Sequence, residues 1–311
     1  MVTTVTLNAA IDRTYEVDSF STGQMHWPEQ VRTVAGGKGI NVARILRTLG
    51  HEVIATGFAG GTAADFVRRD VERHGILADF VRIEEESRLC IAVVDKRERT
   101  TTRLDEHGPL VLPSEIDQLK RKLLDLLDRT RLLILSGSIP RGVPYNIYSI
   151  LIELAREKRV PAVLDTRDQP LLEGVRARPM MLKPNLQELQ QLRGDDLSVP
   201  DGVLAAAREL VRSGITVVFA TLGAEGAIVA TAKNGDWLAE PPDVDVVNAV
   251  GSGDAVVGGF ASAIIEGMDP RRSIARAIGA AAANAATFGA CACSRDEILR
   301  LAALATVRPL S

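Results

Sequence analysis

The stretch Val247-Asn248-Ala249-Val250-Gly251-Ser252-Gly253-Asp254-Ala255, followed by the apolar, glycine-containing pattern of Val256 to Ile265, reads as a turn that opens a helix. Glycines let backbone N–H groups converge, and the first turn of a helix leaves such groups without internal partners, so Gly251, Ser252 and Gly253 can hold an anion. Asp254 would stand beside that anion. A carboxylate repels a phosphate rather than binding it, yet phosphoryl transfer needs one to accept the proton of an attacking hydroxyl. Asp254 is therefore a candidate catalytic base. Taken alone, the same residues could equally be a turn and a stabilised helix start.

Three more loops carry suitable chemistry. Ala35-Gly36-Gly37-Lys38-Gly39-Ile40-Asn41 precedes a helix with Val42, Ile45, Leu46 and Leu49 on its buried face. It lacks the spacing and the terminal Lys-Ser/Thr of a nucleotide P-loop and is not GxGxxG. Lys38 can offer positive charge to a phosphate and Asn41 an amide one helical turn on, although the loop could also be a turn with a solvated lysine. Lys183-Pro184-Asn185-Leu186-Gln187-Glu188 ends a predicted strand, with Asn185 and Glu188 on one side of a helix start. By themselves these two favour a capping box over the ordering of a water-bound magnesium. Thr221-Leu222-Gly223-Ala224-Glu225-Gly226 is a strand-end loop, suited to a nucleotide floor or to a simple turn.

The elements around these loops alternate. β-branched runs at 53–58, 132–135, 162–165, 181–183, 217–221 and 227–231 predict strands, and Met1 to Asn8 alternates Val and Thr like another. Helical patterns cover 39–49, 62–74, 114–128, 145–158, 186–192, 201–213, 253–266 and 270–288. This order predicts an α/β architecture with a mostly parallel central sheet. In such sheets ligands gather outside the carboxyl ends of the strands, where all four loops are expected. Two segments break the alternation, 13–34 and 88–104, the latter with strands at 89–94 and 99–104 forming a hairpin. They are expected to form a small sheet that covers a pocket or pairs with another subunit.

Composition narrows the class. A chain of 311 residues with 46% hydrophobic content can bury roughly three quarters of its unfolded surface. No linker divides it, which predicts one domain over 1–311 with lid segments near 13–34 and 88–104. The 37 basic and 40 acidic residues give a net charge of -3 without a broad basic face, so nucleic acid is not an expected partner. Cys90, Cys291 and Cys293 do not imply a disulfide framework, and Cys291 and Cys293 read as small buried residues. The four histidines show no ligand spacing. With no signal core and no apolar run of about 18 residues, the expectation is a cytoplasmic protein without membrane attachment.

The ordered motifs Asn8 to Asp12, Gly36-Gly37-Lys38-Gly39-Ile40-Asn41-Val42-Ala43, Ser136-Gly137-Ser138-Ile139-Pro140, Lys183-Pro184-Asn185, Thr221-Leu222-Gly223 and Gly251-Ser252-Gly253-Asp254 resemble the PfkB carbohydrate kinases of the ribokinase-like superfamily. The chain looks most similar to their 1-phosphofructokinase and tagatose-6-phosphate kinase branches. The resemblance implies a three-layer fold with a small β-sheet lid, ATP and Mg2+ as cofactors, and a phosphorylated ketohexose, fructose 1-phosphate foremost, as substrate. Tagatose 6-phosphate and fructose 6-phosphate are the alternatives. It implies that Asp12 and Asn41 bind sugar hydroxyls, that Gly36 and Gly37 line the sugar, and that Lys38, Arg88, Arg103 and Ser138 engage the phosphate already present. Lys183, Asn185, Glu188, Thr221, Gly223, Gly226 and Asn284 would serve ATP and magnesium, with the metal held through water near Asn185 and Glu188. It also allows K+ near Asn248 and Val250 and a homodimer formed through the lid.

The chain departs from the resemblance in two places. Asn8-Ala9-Ala10-Ile11-Asp12 stands where NPAxD is usual, and Arg103 resembles the 6-phosphofructokinase branch while Lys38 does not. A neutral sugar or nucleoside would leave Lys38, Arg88 and Arg103 without a common anion. A noncatalytic sugar-phosphate sensor would keep the fold without making ADP, and an NAD dehydrogenase would need a glycine fingerprint that is absent after the first strand.

Overall fold

The computed structural model describes residues Met1–Leu310. Its strands are β1 (Val2–Thr6), β2 (Ala10–Val17), β3 (Gln30–Gly36), β4 (Val53–Gly60), β5 (Leu77–Ala78), β6 (Val81–Ile83), β7 (Arg88–Asp95), β8 (Thr100–Asp105), β9 (Leu132–Ser136), β10 (Ala162–Asp165), β11 (Met181–Leu182), β12 (Val217–Thr221), β13 (Ala227–Thr231), β14 (Asp236–Glu240) and β15 (Thr306–Leu310). The helices are α1 (Lys38–Thr48), α2 (Gly61–Arg73), α3 (Pro113–Leu127), α4 (Ile147–Glu157), α5 (Asp168–Arg176), α6 (Leu186–Arg193), α7 (Asp201–Arg212), α8 (Ser252–Ile265), α9 (Pro270–Ala285) and α10 (Arg295–Leu304).

Eleven strands form the main sheet. From β12 through β11, β10, β9, β1 and β4 to β5 the pairing is parallel, β6 also pairs parallel with β4, and β13, β14 and β15 extend the sheet antiparallel. Side chains alternate across a strand, so both faces of a buried strand must find a core. Leu132 and Ile134 join one core with Ile40 of α1, Phe260 of α8 and Ile278 of α9, while Leu133 and Leu135 join another with Leu119 of α3 and Leu151 of α4. This gives three layers, helix, sheet and helix. Among the described residues no helix is long and apolar enough to cross a membrane.

The two segments that broke the alternation form a separate four-stranded sheet, ordered β3-β2-β7-β8. The β7–β8 hairpin is present as predicted, and β2 runs parallel to β7. Segment 13–34 holds most of the antiparallel pair β2 and β3, joined through residues 18–29.

Other expectations needed correction. The helix predicted to reach Phe288 ends at Ala285, whose carbonyl accepts from the N–H groups of Val247 and Asn248. Helix ends leave carbonyls to be satisfied, and here the approach to the Asp254 loop satisfies one. The short helix α5 was hidden by Pro170 and Gly174, and β15 by Pro309, a residue that sheets accept at an edge. Cys90, Cys291 and Cys293 are free and buried, and burial of Cys291 and Cys293 was expected from the sequence.

Candidate active site

The ends of β10 and β11, through Asp165 and Lys183, and the first glycine loop, through Lys38 and Asn41, converge on Asp254. The helix α8 begins at Gly251, in the left-handed conformation at φ 87, and no side chain caps it. Its first-turn N–H groups are therefore available to an anion. Asn284 holds this loop from beneath: its Nδ2 donates to the Val250 carbonyl at 3.0 Å and to Ser252 Oγ at 2.9 Å, and its Oδ1 accepts from Cys291 N at 2.6 Å. Asn284 was expected to touch nucleotide. It is fully buried, and its contacts shape the anion loop.

Asp254 is only 5% exposed. Burial, helped by the charge of Asp165, pushes its carboxyl up to about 6, against the opposing effects of Lys38, Asn41 and Lys183. Asn41 Nδ2 donates to Asp254 Oδ2 at 2.8 Å. Asn41 was expected to bind a sugar hydroxyl, but its amide oxygen accepts from Arg44 and one N–H serves Asp254, leaving one N–H for a ligand.

Asp165 ends β10 fully buried and organises the cations of the site. Lys38 Nζ lies 3.3 Å and Lys183 Nζ 3.1 Å from its Oδ1. Burial opposes the charge of Asp165, but Lys183 and Lys38 together hold its carboxyl below the usual range. Lys38, although burial works against its charge, is held strongly protonated by Asp165, Asp254 and Glu188. A methyl on Gly253 would stand 3.6 Å from Lys183 Nζ, so Lys183 reaches the anion loop itself. Asp165 was missed by sequence reasoning. Its signal was the lone acid ending the apolar run Ala162-Val163-Leu164-Asp165 at a strand's carboxyl end, the position that singled out the other loops.

Asn185 and Glu188 form the capping box read from their spacing. Asn185 Oδ1 accepts from Glu188 N at 2.8 Å, and Glu188 Oε2 accepts from Asn185 N at 2.9 Å. Thr221 pairs with Asn185 through a β-bridge, which sets the turn from Gly223 to Gly226 beside this helix start. Val250 N donates to Asn248 Oδ1 at 3.0 Å, and the Val250 carbonyl already accepts from Asn284.

The small sheet supplies the other wall. Asp12 pairs with Cys90 and Cys90 with Asp105, so Asp12, Arg88 and Arg103, each in step with that row, share one face. Burial raises the Asp12 carboxyl above its ordinary range, while Arg103, Arg44 and Arg88 oppose the rise. Gly36 lies across from Ala10, diagonal to Asp12 on the neighbouring strand. A methyl there would stand 2.1 Å from Asp12 Oδ1, so only glycine leaves that carboxylate its place. Gly37 links Gly36 to α1 at φ 115. Arg103 Nη2 donates to Asp105 at 3.0 Å, and Arg88 Nη2 reaches the Asn8 carbonyl at 3.4 Å. Asn8 Nδ2 donates to Ser138 Oγ at 3.2 Å. Arg88 Nε and Asn8 Oδ1 are buried without partners, a polar residue left unsatisfied by the protein alone.

An acid with a raised proton affinity beside an anion cradle, and cations facing a second acid, can move a proton from an alcohol while holding phosphate groups on both sides. Known proteins agree with that chemistry. Residues 5–297 match the family model described as pfkB family carbohydrate kinase. A tagatose-6-phosphate kinase of Staphylococcus epidermidis is 34% identical over 268 residues, covering 85% of this chain and 86% of that protein. Among solved structures, phosphofructokinase-2 from Escherichia coli in complex with potassium superposes with a TM-score of 0.91 at 26% identity, covering 97% of this chain and 98% of that one. A possible 1-phosphofructokinase from Thermotoga maritima gives 0.87 at 27% identity with 100% of both chains covered. The chain belongs to the pfkB family of carbohydrate kinases, phosphotransferases with an alcohol group as acceptor, and has their ribokinase-like fold.

Proposed function

We propose that this kinase transfers the γ-phosphoryl group of ATP to a ketohexose phosphate, and that fructose 1-phosphate, converted to fructose 1,6-bisphosphate, is its substrate. The observation that carries the reading is the face shared by Asp12, Arg88 and Arg103, where Arg88 Nε is buried without a partner. A neutral sugar would leave that donor unpaired. Asp254 takes the proton of the primary hydroxyl as its oxygen attacks the γ-phosphorus and the bond to the β-phosphate oxygen breaks, releasing ADP. The N–H groups from Gly251 to Gly253 and the Lys183 ammonium face the transferred group, and Asp12 orients the sugar hydroxyls. Lys38, Arg88, Arg103 and Ser138 hold the phosphate the substrate brings.

The capping box uses one carboxylate oxygen of Glu188, which leaves the other for a water-bound magnesium beside Asn185. Magnesium, when bound, neutralises charge between the β- and γ-phosphates. Thr221, Gly223 and Gly226 floor the nucleotide. Potassium near Asn248 and Val250 fits this reading, and the potassium-containing relative supports it. The chain acts as a single domain in the cytoplasm, with segments 13–34 and 88–104 as a lid that excludes water from the reaction.

Tyr15, Val31, Leu89, Ile91, Val93 and Leu104 alternate onto the outer face of the lid, where Leu104 is 65% exposed. We therefore read the lid also as the contact of a homodimer, which a monomeric mass in solution would refute. A second substrate reading, tagatose 6-phosphate, is favoured by the 34% identical kinase of that name. ADP formation with fructose 1-phosphate, fructose 6-phosphate, tagatose 6-phosphate and the unphosphorylated sugars decides. The highest kcat/KM with fructose 1-phosphate is expected, and a preference for an unphosphorylated sugar would overturn the proposal.

A further inference from the structure

Lys38, Asn41 and Arg44 follow one another at three-residue steps along α1 and so share a side of the helix. Arg44 is 5% exposed and fully engaged. Its Nη1 donates to Asn41 Oδ1 at 3.1 Å, and its Nη2 donates to the Ala35 carbonyl at 2.6 Å and to Asp70 Oδ2 at 2.8 Å. The same Asp70 oxygen accepts from Ala35 N at 2.9 Å. Arg44 and Asp70 thus grip the peptide at Ala35 from both of its polar groups, just where the lid strand β3 enters the loop Gly36-Gly37-Lys38.

We propose that Arg44, paired with Asp70, is a positioning residue for phosphoryl transfer: it fixes the Asn41 amide so that an N–H, and not the carbonyl oxygen, faces Asp254. The inference rests on the reading of Asp254 as the base. A guanidinium has only donors, so the Asn41 atom turned toward it must be the oxygen. The amide nitrogen is then the atom left for the Asp254 carboxylate, which as an anion only accepts. Without Arg44 the amide can rotate, and its oxygen would confront the carboxylate. Only a protonated Asp254 could donate to that oxygen, so the base would hold its proton to higher pH. The other groups facing Asp254 are Lys38 of α1, Asp165 at the end of β10, Lys183 beyond β11 and the Cys291 thiol, and of these Cys291 also feels the charge of Arg44.

The test is the pH dependence of kcat, with ATP and the best sugar phosphate, for the wild type, Arg44→Met, Arg44→Lys and Asp254→Asn. Lysine can still pair with Asp70 but has no second nitrogen with which to reach Asn41 at the same time. Both Arg44 variants are expected to lose roughly tenfold in kcat below about pH 6, where one unit is a tenfold change in the ionised fraction of Asp254, and only about twofold at neutral pH. They should also move the acid limb of the profile upward by roughly one pH unit, a tenfold change in proton affinity. Activity should recover as pH rises. A merely structural role would lower kcat equally at every pH, and that result, or an unmoved profile with kcat within about twofold of wild type, overturns the proposal. If Arg44→Met fails to fold, Arg44→Lys decides by the same criteria. An active Asp254→Asn would sink the reading of the base and this inference with it; an inactive one beside an unshifted Arg44→Lys would sink this inference alone.

Discussion

Asn41 Nδ2 lies 2.8 Å from Asp254 Oδ2, a hydrogen bond between residues 213 positions apart in sequence. It ties the first glycine loop to the second. Because α1 and α8 pack on the same face of the central sheet, the helix that carries Lys38 also sets the orientation of the carboxylate. A base held in this way loses no freedom at the moment of reaction, which is how a fixed site lowers a barrier.

The raised proton affinity of Asp254 predicts an acid limit on catalysis. With its carboxyl pushed up to about 6, the group is ionised and able to accept a proton above that pH, and protonated and inactive below it. The profile of kcat against pH should fall on the acid side with a midpoint near that value rather than near the ordinary 3.8. A rate that is flat down to pH 4.5 or so would contradict the assignment.

Two glycines of the anion loop should respond differently to alanine. At Gly251 the backbone has φ 87, and a methyl would stand 3.0 Å from Ala290 Cβ, so Gly251→Ala is expected to lower stability by about 1–2 kcal/mol. At Gly253 the methyl would meet only Lys183, at 3.6 Å, so the fold is spared. The methyl would instead occupy the side of the loop beside that lysine. Gly253→Ala should keep the wild-type melting temperature and lose roughly tenfold or more in kcat/KM for ATP, as thermal melts and steady-state kinetics will reveal.

Arg103 shares a face of the small sheet with Asp12 and is proposed to contact the substrate's own phosphate. Arg103→Ala removes a charge-assisted hydrogen bond, so KM for the sugar phosphate should rise roughly 10- to 100-fold. KM for ATP should stay unchanged. Kinetics in which both constants shift together would argue against separate sites for the two phosphates.

Much of this site was legible in the sequence because its loops obey local rules. Gly251 to Asp254 opens a helix, Asn185 and Glu188 cap one, and the two lid segments interrupt the alternation of strand and helix, so composition and spacing found them. What escaped depends on tertiary pairing. Asp165 ends an ordinary apolar strand, and only the approach of Lys38 and Lys183 from two other elements gives it a role. Arg44 lies inside a helix whose apolar pattern gives no hint of its contact with Asn41, and Asn284, named through the family resemblance, inside one that gives no hint of its contact with Ser252. The edge strand β15 and helix α5 were hidden by prolines that local propensity counts as breakers.

The most direct test is the kcat of Asp254→Asn with saturating ATP and fructose 1-phosphate, alongside a binding measurement for ATP. Asparagine keeps the shape and the hydrogen bond to Asn41 but cannot accept the proton, so kcat should fall by roughly 10²- to 10⁴-fold with ATP affinity retained. A folded Asp254→Asn enzyme that phosphorylates the sugar at near the wild-type rate would contradict the account.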